Sequence, residues 1–148
     1  MRLDMIKGII WFTVLAFALC AAASAQTVRT PEKGSPERTE ILNALRSPVE
    51  RELKQKIVFN LDHFRVAGSW AFLGGDPQSP SGGQPNYRGT KYQGAKDADM
   101  FDNNIFALLR KTGGKWKVVT YAIGCTDVCY ADWWRRYKAP KAVFPYTE

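Results

Sequence analysis

Histidine is nearly missing from this 148-residue chain. His63 stands alone, so any Ser-His-Asp or Cys-His device has to pass through that one imidazole. Cysteine is almost as scarce, at Cys20, Cys125 and Cys129. With His63, Asp127, Asp132 and the last two cysteines as available ligands, no standard zinc spacing appears. Asp97 and Asp99 hold oxygens at alternate positions, with Asp102 close behind, but the glycine and closing glutamate of a calcium loop are absent, which leaves a solvated turn. Neither a metal nor another cofactor is expected. Internal repeats and extended low-complexity tracts are lacking too.

What the chain does have, at its start, is an address. Arg2 and Lys7 surround a short charged opening, Gly8 to Ala23 are almost wholly apolar, and Ala23-Ser24-Ala25 has the small-x-small form of a cleavage site. This is the layout of a secretory signal peptide over residues 1–25. The run also approaches the length of a membrane span, and a signal kept as an anchor is the alternative. Its alanine-rich last third and the cleavage motif favour removal. Leu19, where lipidation wants a small residue, argues against a lipoprotein at Cys20. The expected location is periplasmic or secreted, with no integral membrane part after cleavage.

Removing 25 of 148 residues leaves about 123, the size of one domain. Without Arg2, Lys7 and Asp4, the 21 basic and 14 acidic residues become 19 and 13, a net charge of +6. That favours an acidic partner, such as a phosphate-bearing envelope polymer, lipid head groups or an acidic protein. It is equally an ordinary solubility device. Nucleic acid is not expected, because the lysines and arginines are scattered and an exported protein rarely meets it. In an oxidising compartment Cys125 and Cys129 are expected to pair. Closing so short a loop pins a turn rather than holding a fold.

Gln26 to Gly34 reads as a flexible leader, and 35–148 as a single α+β domain. Ser35 can cap a helix with Pro36 at its first position. Ile41, Leu42 and Leu45 fall on one face, and Val49 and Leu53 extend it. Ser47-Pro48-Val49-Glu50 repeats the start signal as a capping box, so the helix is expected to bend or restart at Pro48 and end near Lys54. From Lys56 the period becomes two. Ile57, Phe59 and Leu61 share a face, then Phe64 and Val66 take the apolar role on the opposite parity. That phase shift predicts a β-bulge at Asp62-His63. Gly68 turns the chain into a strand ending at Leu73. Gly74 to Asn103 reads as a long glycine- and proline-bearing loop, with a short strand or ordered stretch over Asn86–Gln93. Thr112-Gly113-Gly114 marks a hairpin whose first arm, apolar on both faces, belongs centrally in the sheet. Asp132 can cap a short helix, Trp133 to Lys138. The fold expected is an N-terminal helix packed on a curved, mainly antiparallel sheet of about four strands, with a short C-terminal helix.

This element order resembles the cystatin-like arrangement, including the cone-shaped domains similar to nuclear transport factor 2. The strings Gly68-Ser69-Trp70-Ala71-Phe72, Ala107-Leu108-Leu109-Arg110, Lys115-Trp116-Lys117-Val118-Val119 and Tyr121-Ala122-Ile123-Gly124-Cys125-Thr126-Asp127-Val128 resemble a group of small uncharacterised exported bacterial proteins. That resemblance implies a compartment and a rough fold, and assigns no site.

Two surfaces remain as candidates. Tyr87, Arg88 and Tyr92 in the long loop, with Trp134, Arg135 and Arg136 near the C-terminus, suit a binding surface, since tryptophan and arginine are over-represented at binding hot spots. Tyr130, Trp133 and Tyr137 share a helical face and belong to the core, with Trp134 offset from them. Ordinary packing plus a solvated arginine pair explains the same residues. Alternatively Asp62 and His63, both turned to one side by the bulge, act as orienter and base of a small hydrolase or isomerase in a cavity between helix and sheet. The plain reading of that pair is a half-exposed histidine on a bent strand. The first expectation is therefore a non-enzymatic binding module, envelope-associated or of the inhibitor or immunity type.

Overall fold

The computed structural model describes residues 26–148, and its first helix starts where the capping chemistry places it. The signal peptide expected over 1–25, with Cys20, lies outside the described residues. Helix α1 spans Pro36–Leu53, with Ser35 Oγ accepting from the Arg38 N–H at 3.2 Å and Lys54 closing it in the left-handed conformation. The restart expected at Pro48 does not occur. One helix runs through it, although proline there removes a backbone hydrogen bond to the preceding turn. Ile41, Leu45, Val49 and Leu53, all buried, keep the stripe in register across the proline, and tertiary packing of that stripe outweighs the local break. Ser47 caps nothing; its Oγ accepts from Arg51, and Glu50 reaches forward to the Ile57 N–H instead of back.

The sheet is an antiparallel meander of five strands in the order β1-β2-β3-β4-β5, one more than expected. The extra strand is β1, Val28–Arg29, paired with Val66 and Ala67. The supposed leader is thereby tied down, and an ion pair from Arg29 to Glu37 fastens it to α1. Strands β2 (Val58–Ala67) and β3 (Trp70–Gln78) form a hairpin, and β4 (Ile105–Thr112) and β5 (Lys115–Ile123) another. β4 lies between β3 and β5.

The bulge in β2 is where the change of apolar parity places it. Leu61 pairs with Gly75 and His63 with Gly74, so Asp62 has no partner. Here β3 departs from expectation, since it does not end at Leu73 but continues through Gly74-Gly75 to Gln78. Gly75 lies against the bulge so closely that a Cβ would stand 2.1 Å from the Asn60 carbonyl oxygen. The glycine pair that reads as the mouth of a loop is the partner of a crowded strand.

Nor does the rest of the supposed loop form a strand over Asn86–Gln93. It folds as turns followed by a short helix α2, Gln93–Asp97. The Gln55 amide clamps it from α1's end, donating to the Asn86 carbonyl at 2.7 Å and accepting from its N–H at 2.9 Å.

Both faces of the sheet are covered. On one, the α1 stripe packs with Ile57, Phe64, Val66, Leu73, Ile105, Ala107 and Leu109. On the other, Trp70, Phe72 and Leu108 meet the C-terminal segment through Tyr130, Trp133, Val143 and Phe144. Helix α3 is short, Trp133–Arg136, and a 3-10 turn at Lys141–Val143 follows. Asp132 precedes α3, but its carboxylate pairs with Arg136 rather than capping the helix.

Gly75→Ala is expected to cost about 1–3 kcal/mol through overpacking at the bulge. Gly94→Ala, on α2 with nothing within 4 Å, is expected to be neutral or slightly stabilising. Urea unfolding of the two variants checks this, and equal stabilities would contradict the crowding.

Candidate binding surface

The C-terminal end is built from a turn, a pair of sulfurs and a tryptophan. β5 leaves the sheet at Gly124, and Asn104 catches the exit. Its Oδ1 accepts from the Cys125 N–H at 2.9 Å and its Nδ2 donates to the Cys125 carbonyl at 2.7 Å. Cys125 and Cys129 lie at disulfide-bonding distance, their Cα atoms 6.1 Å apart, and the turn they close delivers Tyr130 to the sheet. Tyr130 and Trp133 then bury their rings against Phe72, with centroids 5.0 and 6.3 Å away. Tyr137 packs on the edge of the same cluster.

Trp134, one residue on, takes the offset direction and stays half-buried. Its indole N–H donates to the Glu148 carbonyl at 2.9 Å, which fixes the ring. Lys141 Nζ stands 3.8 Å from the ring centroid and the Arg135 guanidinium 5.9 Å. Each such cation–aromatic contact is worth about 0.5–1 kcal/mol where exposed. Arg136 is paired with Asp132 at 2.9 Å. Among the described residues, no carboxylate lies within ion-pair distance of Arg135, Lys138 or Lys141. The end of the molecule therefore presents a fixed aromatic plate flanked by Lys141 and Arg135, with no carboxylate among the described residues within ion-pair distance of either.

The loop residues do not join this surface. Tyr87 is only 2 % exposed and belongs to the core on the α1 side. Its hydroxyl donates to Asn103 Oδ1 at 2.7 Å, and burial pushes its pKa up. Arg88 is exposed and lines a small cleft with Gln93, Lys96 and Asp97. Tyr92 donates to Glu52. The loop and the C-terminal end thus attach to opposite sides of the sheet, and the sequence gives no hint of this because it cannot say which face a loop returns to.

Asp62 and His63 do share a face, but not the one beside α1. His63 packs edge-on against Phe72 at 5.7 Å, and its Nε2 is 2.7 Å from the Val143 carbonyl oxygen. A carbonyl only accepts, so Nε2 carries the proton. The Asp62 carboxylate lies on the side of Phe106 and contributes to raising the Tyr130 pKa, after burial. The space between α1 and the sheet, where a catalytic cavity was expected, is filled by the apolar core, but Asp62 and His63 do line a cleft of about 330 Å³ at the β2 edge, with Glu32, Lys33 and, from α1, Arg38 around it. Among the described residues, no group of three or more His, Cys, Asp or Glu side chains is arranged to hold a metal ion.

A second polar constellation escapes sequence reasoning altogether. Glu52, near the end of α1, accepts from the hydroxyls of Tyr92 in the loop and Tyr121 on β5, and pairs with Lys91 at 2.9 Å. Burial works to raise the Glu52 pKa, yet the bonds from Tyr121, Tyr92 and Lys91 outweigh it and hold the carboxyl below its ordinary range. Both tyrosine hydroxyls are pushed up, first by burial and then by this carboxylate. All of the carboxylate's partners bind it at once, so the cluster is a clamp joining helix, loop and last strand. Lys141 beside Trp134 is likewise invisible in the sequence, because six residues and a turn separate them.

Comparison with known proteins finds no matching family model, no matching curated protein and no matching solved structure.

The Glu52 clamp carries a pH signature. Its native pKa is held below the ordinary value of 4.5, so its contribution is complete above that pH and is lost as pH falls through the native value. Glu52→Gln is expected to cost roughly 1–2 kcal/mol at pH 7 and to become nearly neutral in strong acid. Denaturant melts at pH 7 and at about pH 3 check this; an equal penalty at both would contradict it.

Proposed function

We propose that the protein is an exported, non-enzymatic binding module whose C-terminal end grips an acidic partner, in the manner of an inhibitor- or immunity-type protein or an envelope-associated one. The observation that carries this reading is the Trp134 plate, held by its own N–H bond and flanked by Lys141 and Arg135, with no carboxylate assigned to those cations. A rigid aromatic surface loses little conformational entropy when it is covered. Cations gathered around it repel one another until an anion arrives. The signal-like first 25 residues and the paired cysteines support export, since disulfides persist outside the cytosol. The surplus of basic residues supports an acidic partner. Among the described residues, no helix is long and apolar enough to cross a membrane.

The enzyme alternative has less behind it. His63 Nε2 is committed to Val143, so a base would have to act through the other ring nitrogen, in the cleft that Asp62 and His63 line with Lys33 and Arg38.

Immobilised protein challenged with an envelope extract tests the reading. The wild type is expected to retain acidic material at low salt and release it at high salt. Trp134→Ala and Arg135→Ala are each expected to lower retention by about tenfold or more, while His63→Ala leaves it unchanged. Retention indifferent to Trp134 and Arg135 would count against the proposal, and loss on removing His63 would revive the enzyme.

A further inference from the structure

We propose that the outer side of α1's second half is a separate site for the phosphate groups of an anionic polymer. An open groove of about 830 Å³ lies there, lined by Arg46, Arg51, Lys54 and Lys56 together with the polar side chains of Ser47 and Glu50. It borders the helix on the side away from the sheet, whereas the Trp134 surface lies with the opposite core. The proposal does not depend on the reading of that other end.

Its chemistry is set by which charges are already satisfied. Glu50 is the single acid in the groove, and both its oxygens are used internally: one accepts from the Ile57 N–H at 3.1 Å, the other pairs with Lys56 at 3.0 Å. Those bonds, the backbone one first, hold its carboxyl below the usual range. The arginines are oriented by neutral acceptors instead of carboxylates. Arg46 Nε donates to the Ile57 carbonyl at 3.2 Å and its Nη1 to Asn43, while Arg51 Nη1 donates to Ser47 Oγ at 3.1 Å. Each guanidinium is thereby held with other N–H groups left for an outside acceptor. Lys54, in the left-handed closing position of α1, has no carboxylate partner among the described residues. The negative end of the helix dipole opposes anions here with about half a charge, and these cations outnumber it.

The spacing chooses a chain over a single ion. Arg46 and Lys54 are eight positions apart on α1, about 12 Å along the axis at 1.5 Å per residue. With the Arg46 guanidinium tied to the Ile57 carbonyl and Asn43, successive phosphates of a polymer engage these cations together, while a single ion meets fewer of them. A planar guanidinium suits phosphate through paired N–H donors, and the groove offers no aromatic plate for a peptide or sugar to stack on.

Calorimetric titration of the purified protein with inorganic polyphosphate tests this. The wild type is expected to bind at 50 mM salt, to weaken steeply towards 200 mM, and to hold orthophosphate at least about 100-fold more weakly. R51E/K54N, in which asparagine suits the left-handed position, is expected to lose about tenfold or more. Arg51→Gln, the milder change at an exposed position, should lose about threefold. Lys117→Glu, at an exposed β5 position outside both surfaces, should stay within about twofold of the wild type. Vesicles containing phosphatidylglycerol separate a lipid headgroup from a free polymer. No polyphosphate binding at 50 mM salt, equal affinity for orthophosphate, indifference to Arg51 and Lys54, or binding to vesicles alone would each overturn the proposal. Loss confined to an Arg135→Glu variant would overturn it too and move the anion to the Trp134 surface.

Discussion

Asp62 has no partner across the β2–β3 ladder, and that extra residue decides which side of the sheet its neighbours occupy. Before it, Phe59 and Leu61 pack towards α1; after it, Phe64 and Val66 do the same on the opposite parity. Without the bulge a strand of strict alternation would send one of these pairs to the wrong face. The bulge also needs a partner strand that can come close, which is the role of Gly75 beside Asn60. It turns Asp62 and His63 together towards the far face, where His63 meets the Val143 carbonyl. One irregularity thus supplies the core on one side and an anchor on the other.

With both faces apolar, the sheet needs two covers, and the chain supplies them from its two halves. α1 brings four fully or almost fully buried aliphatic side chains to one face. The C-terminal segment brings aromatic rings to the other, with Phe72 at their centre touching Tyr130, Trp133, Phe144, Phe106 and His63. Aromatic pairs in tilted and edge-on arrangements add about 0.5–1.5 kcal/mol each beyond burial. The charged groups are left at the margins: the Glu52 clamp at one seam, the Trp134 plate at one end, the α1 groove outside.

Much of this is legible in the residues, and the exceptions share a cause. The bulge, the α1 stripe, the Gly113-Gly114 hairpin, the central placement of β4 and the inward face of Tyr130 and Trp133 all follow from periodicity or local turn chemistry. Pro48 misleads because its local signal is overridden by a stripe whose partners lie far along the chain. Gly74-Gly75 misleads because a glycine pair marks close approach as well as a turn, and only the bulge opposite reveals which. Tyr87 and Tyr92 look like a binding loop until Gln55 and Glu52 are seen to hold them. The candidate site is half legible for the same reason. Trp134 and Arg135 stand out as residue types, while Lys141 joins them only through the path of the chain.

The β2–β3 and β4–β5 hairpins join near neighbours in the chain, and short separations of this kind close quickly. The seals do not share that ease. Tyr121 reaches Glu52 across 69 positions, and Val143 reaches His63 across 80. Loop-closure entropy sets these last in order. A growing chain therefore lays out its hairpins before the segment around Val143 arrives to meet His63. Until then the aromatic face around Phe72 lacks its cover and stands open to water.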